Sequence, residues 1–238
     1  MSNEMPAIFV LHCKAGYPER RDFIEKQFQR HSISFEYVLD WDISDLNPEV
    51  IERHFVPGIS PRLMSANLKH KRALEIILER GEERALVMED DIFLFEEFEE
   101  RIKKVVEESK ALPPDHVIYL SNSCNKYTPR SRRRSGVHLY ENDHSRAADC
   151  YLITLGACQK RLRWLESNKI STACDHLFNR MDAEAEVRIY WAEDPIAEQG
   201  SMSGRFLSSV QARHSLWVQR VRWALDKFYK MHILRNLR

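Results

Sequence analysis

The sequence gives little support for disulfide bonds or for cysteine-bound zinc. The 238 residues include five cysteines, an odd number, and no two of them form a Cys-x-x-Cys pair. Disulfide frameworks and structural zinc sites need paired cysteines at regular spacing. We therefore expect reduced thiols that pack as small apolar side chains, which is typical of a cytosolic protein.

Long apolar runs and an excess of charge are also missing. No apolar run approaches the roughly 20 residues of a membrane span, and the N-terminus lacks the basic start and apolar core of a secretory signal. Lysine and arginine total 36, as do aspartate and glutamate, so the formal net charge is zero. This balance argues against a dedicated nucleic-acid binder. We expect a cytoplasmic protein.

Short apolar runs alternate with segments of helical periodicity along the chain. This alternation predicts an α/β fold with a mixed, mainly parallel sheet flanked by helices. We expect one domain over residues 1–210, with a mobile loop at about 122–149 and a basic amphipathic helix over 211–238. The strands are predicted in the segments AIFVLH, FEYVLDWD, RALVMEDD, HVIYLS, CYLIT and EVRIYWAED.

Three consecutive acids end the third predicted strand, in the segment RALVMEDD. Residues two apart in a strand face the same side, so Glu89 and Asp91 are expected to converge. Ligands of open α/β sheets gather at this edge, and two carboxylates there suit Mg²⁺ or Mn²⁺. A solvated acidic turn is the alternative. Asp40 and Asp42, in the segment DWD, have the same spacing and form a second candidate pair.

The segment SANLKHKRALEIILERGEERALVMEDDIFLFEEF resembles the core block of the family 25 glycosyltransferases. His70 matches the family histidine, and the Glu-Asp-Asp motif at residues 89–91 is unchanged, whereas Lys69 stands where the family has serine. Further matches, before and after this block, lie in the same order as in the family over residues 6–210. They are Arg20, Arg21, Tyr151, Leu152, Ile153, Gly156, Ala157, Asp175, Pro195, Ile196 and Gln199.

The resemblance implies a GT-A-type, Rossmann-like fold and an inverting transfer of galactose or glucose from a UDP-sugar. The implied acceptor is a glycan such as bacterial lipooligosaccharide, and the implied cofactor is Mn²⁺ or Mg²⁺, bound by Glu89 and Asp91. Asp175 is the expected catalytic base, with Glu198 in reserve. The alternative for Asp175 is an acid that stabilises a helix N-terminus.

The resemblance also implies a set of nucleotide-sugar contacts, namely Arg20, Asp40, His70, Lys71, Asp90 and Gln199. A solvated helix face is the alternative for Lys71. Two other functions stay open: a catalytically silent relative that binds a glycan or a partner, and a different divalent-metal enzyme acting on phosphate esters.

Two basic segments stand apart from the predicted core. Residues 124–146 contain five arginines, four of them within 130–134, which would suit donor phosphates or an anionic acceptor. The tail, residues 211–238, has seven lysines or arginines against one acid, and its apolar stripe recurs at helical spacing. Such a helix either binds an anionic membrane surface, at the inner face of the membrane, or packs on the domain. The stripe consists of Trp217, Val221, Leu225 and Phe228.

Overall fold

The computed structural model describes residues 5–123, 127–206 and 216–237. Nine strands are present in these ranges: β1 (Ala7–Leu11), β2 (Glu36–Val38), β3 (Arg84–Glu89), β4 (Ile92–Leu94), β5 (His116–Tyr119), β6 (Leu139–Asn142), β7 (Cys150–Thr154), β8 (Arg188–Ala192) and β9 (Ala197–Gln199). Seven of them form one sheet in the order β2-β1-β3-β7-β5-β8-β6, and β4 pairs with β9 in a small second sheet.

The main sheet is mixed and mostly parallel. Strand β1 lies parallel to β2 and β3, and β5 lies parallel to β8, whereas β7 runs antiparallel between β3 and β5. The edge strand β6 is antiparallel to β8. Five strands therefore share one direction, which confirms the predicted α/β class.

Helices alternate with the strands, as the sequence predicts. The described helices are α1 (Pro18–Arg30), α2 (Pro48–His54), α3 (Pro61–Arg80), α4 (Phe98–Ser109), α5 (Leu155–Ser167), α6 (Cys174–Glu184), α7 (Gly200–Ser203), α8 (Leu216–Phe228) and α9 (Arg235–Leu237), with a π-helical turn between α8 and α9. Proline occupies the first turn of α1, α2 and α3, where its missing N–H costs nothing. Gly81 ends α3 with a φ of 68°, a left-handed conformation that favours glycine.

Apolar residues cover both faces of the sheet. Phe9 and Val87 face a core formed with α3, α5 and α6, while Ile8 and Leu86 face a second core formed with α1 and α4. Because the strands are buried on both sides, they appear in the sequence as continuous apolar runs. None of the helices in the described ranges is long and apolar enough to cross a membrane.

A short strand lies within the segment 122–149, which was expected to be a mobile loop. Residues 124–126 lie outside the described ranges, but β6 forms within the segment and pairs with β8. Arg146 and Asp149 at its end are buried. The hydrogen bonds between β6 and β8 stabilise a short, mostly polar edge strand whose own sequence gives a weak strand signal.

A buried ion pair joins α5 to α6 beneath the sheet. The guanidinium of Arg161 donates to both carboxylate oxygens of Asp182, at 2.7 and 2.6 Å, and to the Tyr119 hydroxyl at 3.1 Å. Both charged side chains are fully buried. The ring of Phe178 lies 4.2 Å from the guanidinium carbon. The bidentate geometry compensates for part of the cost of removing both charges from water.

We expect Asp182→Asn to lower the free energy of unfolding by about 3–5 kcal/mol, because it leaves the Arg161 charge buried without its counter-ion. Urea denaturation measures this change. Glu166→Gln, an exposed acid of α5, is the control and should shift the value by less than about 0.5 kcal/mol. Equal unfolding midpoints for the two variants would contradict the expectation.

Candidate functional site

A cavity of about 600 Å³ opens at the carboxyl ends of β1 and β3. Its wall consists of the loop between β1 and α1, residues 42–44 after β2, one face of α3, and the end of β3. Ligands of α/β sheets bind at this edge, and the volume lies within the range of small-molecule sites. We call it the strand-end cavity.

Asp90 links the wall of the strand-end cavity to two basic side chains. Its carboxylate binds Nδ1 of His12 and a terminal nitrogen of Arg20, both at 2.7 Å. Burial acts to lower the pKa of Arg20, but Asp90 outweighs burial and the net pKa is raised. Arg20 therefore stays cationic at the cavity, where it was predicted to contact the nucleotide-sugar.

The segment DWD turns its two acids in different directions. Trp41 has a φ of 68°, which breaks the strand alternation that placed Asp40 and Asp42 on one side. Asp42 lines the cavity, whereas the Asp40 side chain is 57 % exposed and lies 3.9 Å from the Arg72 side chain. The structure thus brings Asp42 to the cavity instead of Asp40, the predicted contact.

Lys69 explains why Asp42 is fixed at the cavity. Its ammonium group donates to Oδ1 of Asp42 and to the carbonyl of Asp40, both at 2.7 Å. The backbone N–H groups of Lys14 and Ala15 donate to the other Asp42 oxygen, Oδ2. Burial acts to raise the pKa of Asp42, but the hydrogen bond from Lys69 and the Lys69 charge outweigh burial, so the net pKa is lowered. Sequence reasoning regarded Lys69 as a departure from the family motif and missed this role.

Three carboxylates form an acid cluster beside the cavity: Glu89, Asp91 and Asp149. Glu89 keeps 31 % of its side chain exposed and accepts a hydrogen bond of 2.6 Å from Nε2 of Gln199. Asp91 is buried, and its Oδ2 accepts from the N–H of Ser201 at 3.0 Å. Its Oδ1 has no hydrogen-bond partner among the described residues.

Asp149 was not predicted from the sequence. Its buried carboxylate accepts hydrogen bonds from the hydroxyls of Ser121 and Ser123. Its carbonyl accepts from the N–H of Glu89 at 2.9 Å, because the antiparallel strand β7 begins where β3 ends. The available signal was that Asp149 directly precedes the predicted strand CYLIT. The sequence did not show that this strand runs antiparallel to β3, which brings Asp149 to the end of β3.

The acid cluster holds its protons more tightly than isolated carboxylates do. Burial raises the pKa of Asp149 to about 7, although the hydrogen bonds from the two serine hydroxyls act to lower it. The negative charge of Glu89 adds to the rise. Burial also raises the pKa of Glu89, followed by repulsion from Asp90. For Asp91 burial is again the largest cause of its raised pKa and Glu89 the next. Buried like charges of this kind favour protonation or a bound cation.

The acid cluster has the donor chemistry of a dication site. No group of three or more His, Cys, Asp or Glu side chains in the described ranges is arranged to hold a metal ion. Mg²⁺ commonly takes one or two protein carboxylates and completes its shell with water and phosphate oxygens. Glu89, which is exposed to the cavity, and the unpartnered Oδ1 of Asp91 fit such a shell.

His70 and Lys71 have different environments on α3. His70 is buried in the cavity wall, where its Nδ1 bonds the Tyr151 hydroxyl at 3.1 Å and its Nε2 lies 3.8 Å from Oε1 of Glu89. Burial lowers the pKa of His70 to about 3, with a further contribution from the charge of Arg161, so the ring is neutral. Lys71 pairs with Glu75 and does not line the cavity.

The two candidate bases, Asp175 and Glu198, have different hydrogen-bond partners. Asp175 lies half-buried in the first turn of α6, and its charge contributes to the raised pKa of Glu89, so it lies near the acid cluster. Its Oδ1 accepts from the N–H of His176. Glu198 lies on β9 beside Gln199, but its carboxylate accepts from the indole of Trp223 on α8. The side chains of residues 198 and 199 therefore have different partners.

One protein family matches most of the chain. The model of glycosyltransferase family 25, described as LPS biosynthesis protein, matches residues 5–178. No curated protein matches the chain.

Two solved structures show distant similarity. The crystal structure of A197 from STIV has 12 % identity and a TM-score of 0.40, and the match covers 88 % of this chain and 99 % of that one. A glycosyltransferase involved in the glycosylation of the major capsid of PBCV-1 has 7 % identity and a TM-score of 0.35, with 92 % and 100 % covered. Since both scores lie below 0.5, the fold is assigned from the strand order above.

The raised pKa of Asp149 predicts a pH-dependent stability. Between about pH 4 and pH 7 the unfolded chain releases this proton before the folded one, so rising pH favours unfolding. An amide side chain at this position has no proton to lose. We expect the free energy of unfolding of Asp149→Asn, relative to wild type, to rise by about 2–3 kcal/mol from pH 5 to pH 8.

Urea denaturation in metal-free buffer with a chelator, at several pH values, measures this difference. Asp143→Asn serves as the control because its carboxylate is exposed on the same segment. A difference between Asp149→Asn and wild type that stays constant with pH would show that this carboxylate is not the group that titrates.

Proposed function

The chain belongs to glycosyltransferase family 25, and from this premise we propose that it transfers galactose or glucose from a UDP-sugar. The proposed acceptor is a glycan such as bacterial lipooligosaccharide, with inversion at the anomeric carbon and a dication, Mn²⁺ or Mg²⁺. The observation that carries the proposal is the strand-end cavity, because its wall includes Glu89 of the acid cluster.

The strand-end cavity supplies what a nucleoside diphosphate would need. Its size suits a nucleotide, and its lining places the cations Arg20, Arg62 and Lys69 among the acids Asp42, Glu89 and Asp90. Arg20 and Lys69 are each held by a buried acid, Asp90 and Asp42, so their positions are set before any ligand binds. Prepositioned cations reduce the ordering cost of binding a diphosphate.

The acid cluster would hold the dication beside the same cavity, which Glu89 lines. Glu89 and Asp91 are the proposed ligands, and Gln199 and the N–H of Ser201 orient their other oxygens. When bound, such an ion neutralises the negative charge that grows on a departing diphosphate. Asp149 would add a third negative charge once it loses its proton, and its carboxylate is buried, with hydrogen bonds from the hydroxyls of Ser121 and Ser123.

Asp175 is the proposed base. In inverting transfer the acceptor hydroxyl oxygen bonds to the anomeric carbon while the bond from that carbon to the diphosphate oxygen breaks. The hydroxyl proton passes to a carboxylate on the acceptor side. Asp175 is half-buried near the acid cluster, whereas Glu198 bonds Trp223. These contacts favour Asp175 over Glu198.

We expect Asp175→Asn to lower kcat by about 10²–10⁴-fold, because an amide cannot accept the hydroxyl proton. The measurement is UDP release from UDP-galactose and UDP-glucose, with and without a panel of glycan acceptors. Glu184→Gln, at the far end of α6, should keep wild-type turnover. A folded Asp175→Asn enzyme with near-wild-type kcat would exclude Asp175 as the base.

We expect Glu89→Gln to weaken Mn²⁺-dependent UDP binding at least tenfold, because one of two anionic ligands is lost. Titration calorimetry with UDP, in the presence and absence of Mn²⁺, measures the change. Glu83→Gln, an exposed acid just before the other end of β3, is the matched control. Metal-dependent binding that survives Glu89→Gln would remove Glu89 from the site.

The same experiments distinguish the alternatives. A silent relative would bind without releasing UDP from either donor. An enzyme acting on phosphate esters would use the acid cluster and cleave substrates that carry no sugar. The match to the family over residues 5–178 favours transfer over cleavage of phosphate esters, and UDP release separates transfer from the silent relative.

A further inference from the structure

The C-terminal tail, here residues 216–237, contacts the domain through its polar side chains. Gln219 donates to the carbonyl of Ser201, and Trp223 donates to Glu198 at 3.2 Å. Further along, Lys227 donates to a backbone carbonyl of the domain and Arg235 to Glu193. These contacts span the tail, so they determine which face of α8 is turned away from the domain.

The face turned away from the domain is the apolar stripe. Trp217 is 71 % exposed, Leu225 65 % and Phe228 59 %, and Val221 is also exposed. Residues spaced by three and four positions lie along one side of a helix, so these four form a continuous strip. The sequence left open whether the stripe packs on the domain, and in the structure it does not.

Basic charge accompanies the stripe. The described tail has five lysines or arginines and one acid, Asp226, which pairs with Lys230 at 2.9 Å. Arg222 is exposed and follows Val221 directly on α8. Apolar residues on one side of a helix with cations beside them match a lipid surface that is apolar inside and anionic outside.

The arginine loop, residues 130–134, lies against the same tail. The 3₁₀ turn Arg130–Arg132 packs on α9. The buried carboxylate of Glu193 contacts both segments, with Arg235 at 2.5 Å and Arg133 at 3.9 Å. The structure therefore joins two basic segments that are about 100 residues apart in the sequence.

From this arrangement we propose that the apolar stripe, Arg222 and the arginine loop form a docking surface for an anionic lipid bilayer. The stripe enters the interface between headgroups and acyl chains, and the arginines bind the headgroups. Opposite charge alone would suit a soluble polyanion, but the exposed aromatic and aliphatic side chains favour a lipid surface. The docking does not depend on the transfer reaction.

Cosedimentation of the full chain with vesicles tests the proposal. One set of vesicles is phosphatidylcholine alone and the other contains about a third phosphatidylglycerol. We expect binding to the anionic vesicles that weakens as salt rises from about 50 to about 500 mM, because the headgroup contacts are screened. Binding to the neutral vesicles should be much weaker.

Two variants test the two parts of the surface. Trp217→Ser/Leu225→Ser/Phe228→Ser should lower the vesicle partition coefficient at least tenfold. Arg130→Gln/Arg132→Gln/Arg134→Gln should lower it about fivefold for each arginine that touches the lipid. The matched controls are Leu78→Ser, an exposed apolar residue of α3, and Arg180→Gln, an exposed arginine of α6, and both should bind as wild type.

Three results would overturn the proposal. The first is no binding to anionic vesicles at low salt, and the second is equal binding by wild type and the triple-serine variant. The third is a dimer in sedimentation velocity that the triple-serine variant abolishes, without vesicle binding, because the stripe would then bind a second copy. UDP release from soluble donors, measured in parallel, shows whether the transfer proposal fails independently.

Discussion

Burial of carboxylates at the end of β3, reinforced by repulsion between them, is the constraint on which the candidate site depends. Glu89, Asp91 and Asp149 are gathered where burial and their own charges oppose ionisation. A fold keeps such a cluster when the site has a use for it, because the same residues as apolar side chains would cost less. A dication bound as proposed would relieve the repulsion, which would link the stability of the strand end to the proposed chemistry.

The partners of these acids come from distant parts of the chain. Gln199 and the N–H of Ser201 approach because β9 pairs with β4, directly after the acidic turn. The hydroxyls that hold Asp149 follow β5, and β7 carries Asp149 itself to the end of β3. Strand pairing therefore assembles the site, and a shift in register would separate its members.

The C-terminal tail connects this site to the surface. Strand β9 carries Gln199 toward the acid cluster and Glu198 toward Trp223 of α8. A helix held in this way can present its apolar stripe outward while its polar face stays on the domain. An enzyme whose proposed acceptor is a lipid-linked glycan would gain from such an arrangement, because binding to the membrane limits the search for the acceptor to the membrane surface.

The sequence alone determined six of the nine strands, the α/β class, the acidic strand end and the family, because these depend on local periodicity and on a contiguous motif. It did not predict β4, β6 or β9, the buried Asp149 or the roles of Asp42 and Lys69. Each of these depends on contacts between segments far apart in the chain, or on one backbone angle, at Trp41, that reverses the expected facing. Whether the stripe faced the domain or solvent was likewise decided by tertiary packing, because helical spacing defines a face and leaves its direction open.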